Sequence, residues 1–120
     1  MKKNKKKLTI IPFRDKMEKI SSWLDDKQGE DIVLLDVSKI CSVAEGIVVV
    51  TARTARHAQA LADHVLDMTK AENHEFFGSE GYRDAEWILL DLNDVLVHVF
   101  RAEHREFYDM EGLWSEAKKM

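Results

Sequence analysis

Two carboxylates close together are the residues of this chain best suited to magnesium chemistry. Asp91 and Asp94 follow a Gly78-Ser79 pair, and a Gly-Ser pair ahead of two carboxylates is typical of enzymes that transfer nucleotidyl groups. Such enzymes need the carboxylates at i and i+2 on one strand face to hold Mg²⁺ beside a triphosphate, whereas these lie at i and i+3. Asp94 also occupies a turn position that favours Asp for backbone reasons. The spacing disfavours catalysis, and a nucleotidyltransferase-like enzyme or nucleotide-binding domain stays as the alternative function.

Histidine and cysteine offer little support for a metal site or a nucleophile. His57 and His64 are seven residues apart, two helical turns or about 10 Å, which is too far for one ion without further ligands. We interpret them as solvent-facing helix residues. Cys41 is the only cysteine and has no adjacent His to lower its pKa. We therefore predict no catalytic residues, no metal and no cofactor.

Two arginines stand at a strand-to-helix junction, where an anion could bind. Arg53 and Arg56 flank Thr54, and the backbone amides of a helix N-terminus attract negative charge. They are candidates for an anion or RNA contact. Capping of the helix by Thr54 together with a salt bridge explains the same residues equally well.

The segment 87–100 predicts an antiparallel hairpin whose two faces differ. Asn93-Asp94 between two apolar runs is a two-residue turn signal. Pairing outward from this turn gives one wholly aliphatic face suited to a core. Its predicted pairs are Leu92 with Val95, Leu90 with Val97, and Ile88 with Val99.

The other hairpin face mixes large apolar groups with a carboxylate and an imidazole. It carries Trp87, Leu89 and Asp91 on the first strand, and Leu96, His98 and Phe100 on the second. An aromatic anchor beside polar groups is typical of a surface that another macromolecule covers. The alternative, equally favoured by spacing alone, is that this face packs under the C-terminal helix, with Trp87 against Leu113 or Trp114.

Composition predicts one soluble cytoplasmic domain with no membrane segment. The chain has 120 residues, 45% of them hydrophobic, and no apolar run approaches the roughly 20 residues of a membrane helix. Its single cysteine fits a reducing compartment. The net charge of −4 conceals a separation, because residues 72–116 hold three basic and twelve acidic side chains. This half repels nucleic acid and attracts basic partners.

Periodicity predicts the order of elements. Helices are expected over residues 13–27, with Pro12 in the first turn and Gly29 just past the end, and from Thr54 to about Asn73. Runs at 32–35 and 47–50 predict central strands with both faces covered, and 75–77 a short strand before a loop over 78–84. Residues 103–118 predict one or two short helices. The resulting fold is α+β, an α/β sandwich with a mixed sheet of about five strands.

Three ordered motifs resemble the ribosomal silencing factors, the RsfS or Iojap family. The first is the G-x-E-G of residues 78–81, with Ser79 and Glu80 inside it. The second is W-x-x-x-D-x-x-D-V-x-V-H-V-F over residues 87–100. The third is R-x-F-Y-D-M-E-x-L-W over residues 105–114. The resemblance extends from about residue 13 to residue 114, and the chain departs from it at Glu45-Gly46 and at residues 53–55.

The resemblance implies a nucleotidyltransferase-like fold without the catalytic carboxylates, and no enzymatic activity. It implies a translational repressor that binds the large ribosomal subunit through ribosomal protein L-fourteen and blocks joining of the small subunit when nutrients are short. The implied partner-binding residues are Trp87 and Asp91, with neighbours by motif or strand position. Those neighbours are Leu89, His98, Glu80 and Tyr82.

The resemblance also bears on assembly and on the N-terminus. Members of the family are often homodimers, so a structural homodimer whose dimer face is the same hairpin is a further alternative, and monomer or dimer stays open. Residues 1–12 are predicted to be a basic flexible tail, and residues 13–120 a single domain. Five lysines between positions 2 and 7 could contact ribosomal RNA peripherally once another surface has docked the domain.

Overall fold

The computed structural model describes residues 7–108 and 118–120. The element bounds are α1 (Phe13–Asp26), β1 (Glu30–Asp36), β2 (Gly46–Ala52), α2 (Ala55–Ala71), β3 (Gly78–Glu80), β4 (Trp87–Asp91), β5 (Val95–Arg101), α3 (Ala102–Tyr108) and β6 (Lys118–Lys119).

The strands form one mixed sheet in the order β3-β4-β5-β2-β1-β6. Strands β2 and β5 are parallel, while the other neighbouring pairs are antiparallel. The predicted α+β fold with a mixed sheet is therefore confirmed. Five strands of the sheet were expected, and the two-residue β6 adds a sixth at the edge beside β1.

Helices α1 and α2 cover one face of the sheet and form the main core with it. All seven residues of β2 are buried, as expected for a central strand. Side chains from both helices meet the aliphatic face of the hairpin and alternate residues of β2. The buried side chains of this cluster include Met17, Ile20, Leu24, Val48, Val50, Leu61, Val65, Ile88, Leu90 and Val97.

Both long helices end in a Schellman motif, in which a left-handed residue lets two backbone amides bond back to the last turn. In α1 the amide of Gly29 donates to Leu24 O at 2.8 Å, and the left-handed residue is Gln28 (φ 63°). In α2 the amide of His74 donates to Thr69 O at 2.9 Å, around left-handed Asn73. Helix ends at these positions were predicted, although Gly29 lies one residue beyond the left-handed position.

A smaller apolar cluster occupies the opposite face of the sheet. It consists of Leu35, Val37, Ile47, Val49 and Phe100, with Trp87 packed at its side. Helix α3 lies against β5 and β2 at this end of the sheet. Its Arg105 donates to Thr51 Oγ1 at 2.6 Å and to the carbonyl of Asp31, so α3 is attached to both β2 and β1.

The predicted hairpin register is confirmed. Leu90 lies opposite Val97 and Ile88 opposite Val99, while the Leu92 amide donates to Val95 O at 3.0 Å. A buried lysine of α1 holds the turn, because Lys16 Nζ lies 2.9 Å from Leu92 O and 2.7 Å from Asp94 Oδ1. This pair was not anticipated from the sequence.

Two strand predictions are wrong. Residues 75–77 are not a strand, because the neighbouring β4 ends at Asp91 and offers them no length of strand to pair with. The strand begins instead at Gly78, opposite Asp91, inside the segment predicted to be a loop. Strand β1 lies one position from the sheet edge, and its first two residues are exposed, so it is not central.

Two helix predictions also need correction. His57 and His64 are half-buried rather than solvent-facing, because both rings meet the C-terminal end of α1. His57 Nε2 lies 2.9 Å from Lys27 O, and His64 Nε2 lies 3.7 Å from Asp26 Oδ2. Lys118, predicted at the end of a helix, belongs to β6. Leu113 and Trp114 lie outside the described residues, as does the predicted second helix.

In the described part of the chain, no helix combines the length and apolar character that a membrane span requires.

Candidate functional site

The mixed side of the hairpin forms one continuous surface, which we call the Trp87 face. It consists of Trp87, Leu89 and Asp91 on β4, Leu96 and His98 on β5, and Glu80 on β3. Alternation along β4 and β5 directs these hairpin side chains away from α1 and α2, since Ile88, Leu90 and Val97 point into the core beneath the helices.

Glu80 reaches this face through the register of the edge strand. It lies directly opposite Leu89, and directly opposed residues of an antiparallel pair share a face. The chain leaves β3 at Gly81, whose φ of 83° is in the left-handed region. A Cβ at Gly81 would lie 2.1 Å from the carbonyl oxygen of Trp87, so glycine is required by this close approach.

Aromatic stacking and one hydrogen bond fix the orientation of Trp87. Its indole stacks on Phe100 with a centroid distance of 5.2 Å, and its ring centroid is 5.7 Å from that of His98. The indole Nε1–H donates to His98 Nδ1 at 2.9 Å. Trp87 is half-buried, so one part of the ring is held by the protein while another part remains accessible.

Burial keeps His98 neutral. The side chain lies among apolar groups, and this desolvation lowers the pKa of the imidazole from 6.5 to about 4. A neutral ring agrees with the hydrogen bond, because Nδ1 must be unprotonated to accept from the indole. His98 therefore acts as a fixed acceptor for Trp87.

The Trp87 face is open along β4 and at Leu96, and it is closed at His98 and Phe100 of β5. Leu89, Asp91 and Leu96 are half-buried and Glu80 is exposed, whereas His98 is only 5% exposed and Phe100 is fully buried. His98 is therefore a supporting residue beneath the accessible surface. From the sequence alone, all six hairpin side chains were expected to be equally exposed. Alternation predicts which face a side chain lies on, but it does not predict which other residues cover that face.

The two carboxylates considered for magnesium lie on opposite sides of the sheet. Asp91 belongs to the Trp87 face, where its Oδ1 accepts from the Asn93 amide at 2.9 Å. Asp94 instead pairs with Lys16 of α1 on the helix side. They cannot share one ion, and the described residues contain no cluster of three or more His, Cys, Asp or Glu side chains with metal-binding geometry.

Tyr82 does not join the Trp87 face. Its hydroxyl donates to Asp63 Oδ2 of α2 at 3.0 Å, and its carbonyl accepts from Gln59 Nε2. The hydrogen bond to Asp63 raises the pKa of the phenol. Motif position placed Tyr82 beside Glu80, but the left-handed turn at Gly81 sends the chain to the helix side of the sheet.

The arginine junction is a capped helix start with an ion pair. The Thr54 hydroxyl accepts from the His57 amide at 3.0 Å, and Arg53 Nε lies 3.4 Å from Glu30 Oε2. Arg56 is exposed on the first turn of α2.

Leu96 and Gly81 also belong to the site, although neither was among the partner-binding residues predicted from the sequence. Leu96 lies opposite Asp91 and extends the apolar part of the face. Gly81 positions the edge strand against Trp87 rather than contacting a partner. Hairpin alternation already identified the face of Leu96, and the G-x-E-G motif contained Gly81, so both signals were present in the sequence.

The sequence and the fold are similar to those of known proteins. The family model described as the ribosomal silencing factor during starvation matches residues 11–120. A ribosomal silencing factor RsfS of Chromobacterium violaceum is 40% identical over 95 residues, which cover 79% of this chain and 78% of that protein. A crystal structure from the same organism matches with a TM-score of 0.81 at 37% identity, covering 84% of this chain and 85% of the other.

A more distant relative is the mouse protein named mitochondrial assembly of ribosomal large subunit protein 1, which is 22% identical over 102 residues. The match covers 82% of this chain but 45% of that protein. The family match over nearly the whole chain and the similarity to the bacterial relatives lead to one conclusion. This chain belongs to the ribosomal silencing factor (RsfS) family.

Proposed function

We propose that the protein binds the large ribosomal subunit through ribosomal protein L-fourteen, blocks joining of the small subunit, and so represses translation when nutrients are short. The observation that carries this proposal is the open half of the Trp87 face. There an oriented tryptophan and Leu89 are accessible beside the carboxylates of Asp91 and Glu80.

Family membership supports the ribosomal role. The family is described as silencing the ribosome during starvation, and the name of the mouse relative refers to the ribosomal large subunit. The proposal extends this large-subunit association to the present chain. The choice of L-fourteen follows from the resemblance of the hairpin motifs.

The geometry of Trp87 suits an interface anchor. Buried aromatic side chains at the centre of an interface contribute much of the binding energy. Stacking on Phe100 and the hydrogen bond to His98 restrict the indole before binding, so less side-chain entropy is lost on association.

The charges suit a basic partner. Glu80 and Asp91 border the open half of the face, and residues 72–116 carry an excess of acidic side chains. Complementary charge accelerates encounter with a basic protein surface and disfavours direct contact of this face with RNA phosphates. A protein component of the ribosome is therefore the better target for this face.

A regulatory role without catalysis is the accompanying proposal. The nucleotidyltransferase alternative required carboxylates on one strand face, whereas Asp91 and Asp94 have separate structural partners on opposite sides of the sheet. We propose no metal and no cofactor.

Further parts of the proposal concern assembly and the N-terminus. The protein acts on cytoplasmic ribosomes, and a homodimer can exist when the ribosome is absent. The lysine-rich residues 2–7 add a peripheral, salt-dependent contact with ribosomal RNA, and Arg53 or Arg56 could add another.

Reversing the charge of Glu80 tests the docking surface with little effect on the fold. Glu80→Lys changes an exposed side chain at the sheet edge, so the melting transition should be retained. Affinity for isolated large subunits should fall by about tenfold, mainly through slower association, because an attraction to a basic surface becomes a repulsion. Co-sedimentation at two salt concentrations measures the effect.

Glu18→Lys is the matched control, because Glu18 is exposed on α1, on the opposite side of the sheet, and gives the same change in net charge. Equal losses for both variants would mean that overall charge, rather than the Trp87 face, determines binding.

Removing the indole tests the anchor. Trp87→Ala should cost about 2 kcal/mol or more of binding to L-fourteen, roughly thirtyfold in affinity. It should also lower stability, since stacking with Phe100 is lost. Affinity is therefore compared per folded molecule, with the melting transition recorded in parallel.

Asp91→Lys should weaken binding further, whereas Asp91→Asn keeps an acceptor for the Asn93 amide and separates the effect of charge from that of turn structure.

Unchanged affinity in the folded fraction of Trp87→Ala would reject Trp87 as a contact residue.

The neutral state of His98 predicts a pH-dependent stability. Unfolding restores a pKa near 6.5 while the folded value is about 4, so the unfolded chain binds the extra proton between these values. The His98 contribution to stability should be nearly complete above pH 7 and fall by about 2 kcal/mol between pH 7 and pH 5, with most of it lost near pH 4. Urea unfolding at several pH values measures this loss.

His98→Gln keeps an acceptor for Trp87 without a titrating group, and His64→Gln is the matched control. The first variant should flatten the pH profile and the second should not. A profile left intact by His98→Gln would show that the loss of stability arises elsewhere.

A further inference from the structure

A cavity of about 630 Å³ lies beside the C-terminal end of α2. Helix α2 forms one side of it, the segment after α2 forms another, and the N-terminal residue Leu8 borders it. Its apolar walls are Leu8, Leu66, Phe76 and Phe77. A volume of this size with mostly apolar walls is in the range of small-molecule sites.

Two polar atoms of the cavity's lining residues have no hydrogen-bond partner among the described residues of the protein. Thr69 Oγ1 and His74 Nδ1 are buried and unpaired, and their residues are 1% and 5% exposed. Buried polar atoms are nearly always paired, and an unpaired one is costly, so two at one cavity call for an explanation.

The end of α2 brings these two residues together. Thr69 and His74 are the positions joined by the Schellman hydrogen bond, where an apolar side-chain contact is usual. Here both positions are polar. The His74 ring is also held from behind, because its centroid lies 6.1 Å from that of Trp23.

The neutral tautomer of His74 that donates to Glu72 defines one set of hydrogen-bonding roles at the cavity. His74 Nε2 lies 3.4 Å from Glu72 Oε1, and a proton on Nε2 directed at this carboxylate leaves Nδ1 as an acceptor. The Thr69 hydroxyl is free to donate. A ligand that satisfies both atoms therefore presents an N–H to His74 and a carbonyl oxygen to Thr69.

The N-terminal segment is hydrogen-bonded to the end of α2 beside the cavity. Thr9 donates from its amide to Asn73 O at 2.9 Å and from its hydroxyl to Glu72 O at 2.5 Å, and Asn73 Nδ2 donates to Lys7 O. Leu8 is thus held between two attached residues, yet it is 49% exposed. Leu8 therefore forms an exposed part of the cavity wall.

We propose that this cavity binds a small, uncharged, planar molecule in which an N–H and a carbonyl lie side by side on an apolar ring, as in a bicyclic lactam. The two phenylalanines supply aromatic surface, and Thr69 and His74 form hydrogen bonds with the polar edge of the ligand. The acidic and basic side chains at the cavity give no preference for a charged ligand; they are Asp67, Lys70 and Glu75. The cavity adjoins the Trp87 face at one point, because the Phe77 amide donates to Asp91 O at 2.8 Å, whereas its two buried polar atoms belong to the end of α2.

The test uses the full chain with two probes of matched size, 2-quinolone and naphthalene. Backbone amide chemical shifts are recorded during titration with each probe. We expect 2-quinolone to shift residues 66–77 and to bind about tenfold more tightly than naphthalene, since two hydrogen bonds distinguish them. Equal affinity of the two probes, or no shift in this segment up to the solubility limit, would overturn the proposal.

Two variants and a control make the assignment specific. Thr69→Val removes the hydroxyl with little change of shape, so it should weaken 2-quinolone binding by about fivefold, leave naphthalene unaffected and raise the melting temperature. Phe77→Ala alters an exposed wall and should weaken both probes. Val43→Ala, at an exposed apolar residue of another loop, should change neither. Unaltered 2-quinolone affinity in Thr69→Val would contradict the role of the hydroxyl.

Discussion

The register of the β4–β5 hairpin is the constraint on which both faces of the sheet depend. Side chains alternate along a strand, so a slip of one residue would expose the aliphatic core face and bury Trp87 and Asp91 beneath the helices. The Lys16 ammonium reinforces this register by bonding Leu92 O and Asp94 at the turn. Lys16 is buried and Asp94 is partly exposed, so removing the carboxylate would leave a buried ammonium with one fewer partner, and the helix and the hairpin specify each other.

The same register explains how a rigid surface can also be accessible. On the β5 side, Phe100 and His98 are buried and hold the indole, while on the β4 side Trp87 and Asp91 remain partly exposed. The short edge strand then adds Glu80 next to Leu89. Charge and aromatic area are therefore presented from paired strands, which change shape little on binding compared with loops.

The hairpin could be predicted from sequence because its register depends on local alternation and a turn signal. The structure of residues 75–77 could not be predicted in this way. An apolar run becomes a strand only where a neighbouring strand is long enough to pair with it, and β4 ends at Asp91. The position of Tyr82 on the helix side could not be predicted, because one left-handed glycine, Gly81, reverses the side to which the chain turns. The burial of His98 and the partner of Lys16 depend on residues that are far away in the sequence. Local periodicity carries no information about such contacts.

The central claim is that an open, acidic, tryptophan-centred face prevents the ribosomal subunits from joining. Sucrose-gradient sedimentation of purified large and small subunits, mixed with increasing amounts of the protein before joining is induced, tests it most directly. The account predicts that the joined-ribosome peak declines as the protein co-sediments with free large subunits. A joined-ribosome peak that is unchanged at excess protein, whether or not the protein binds, would contradict it.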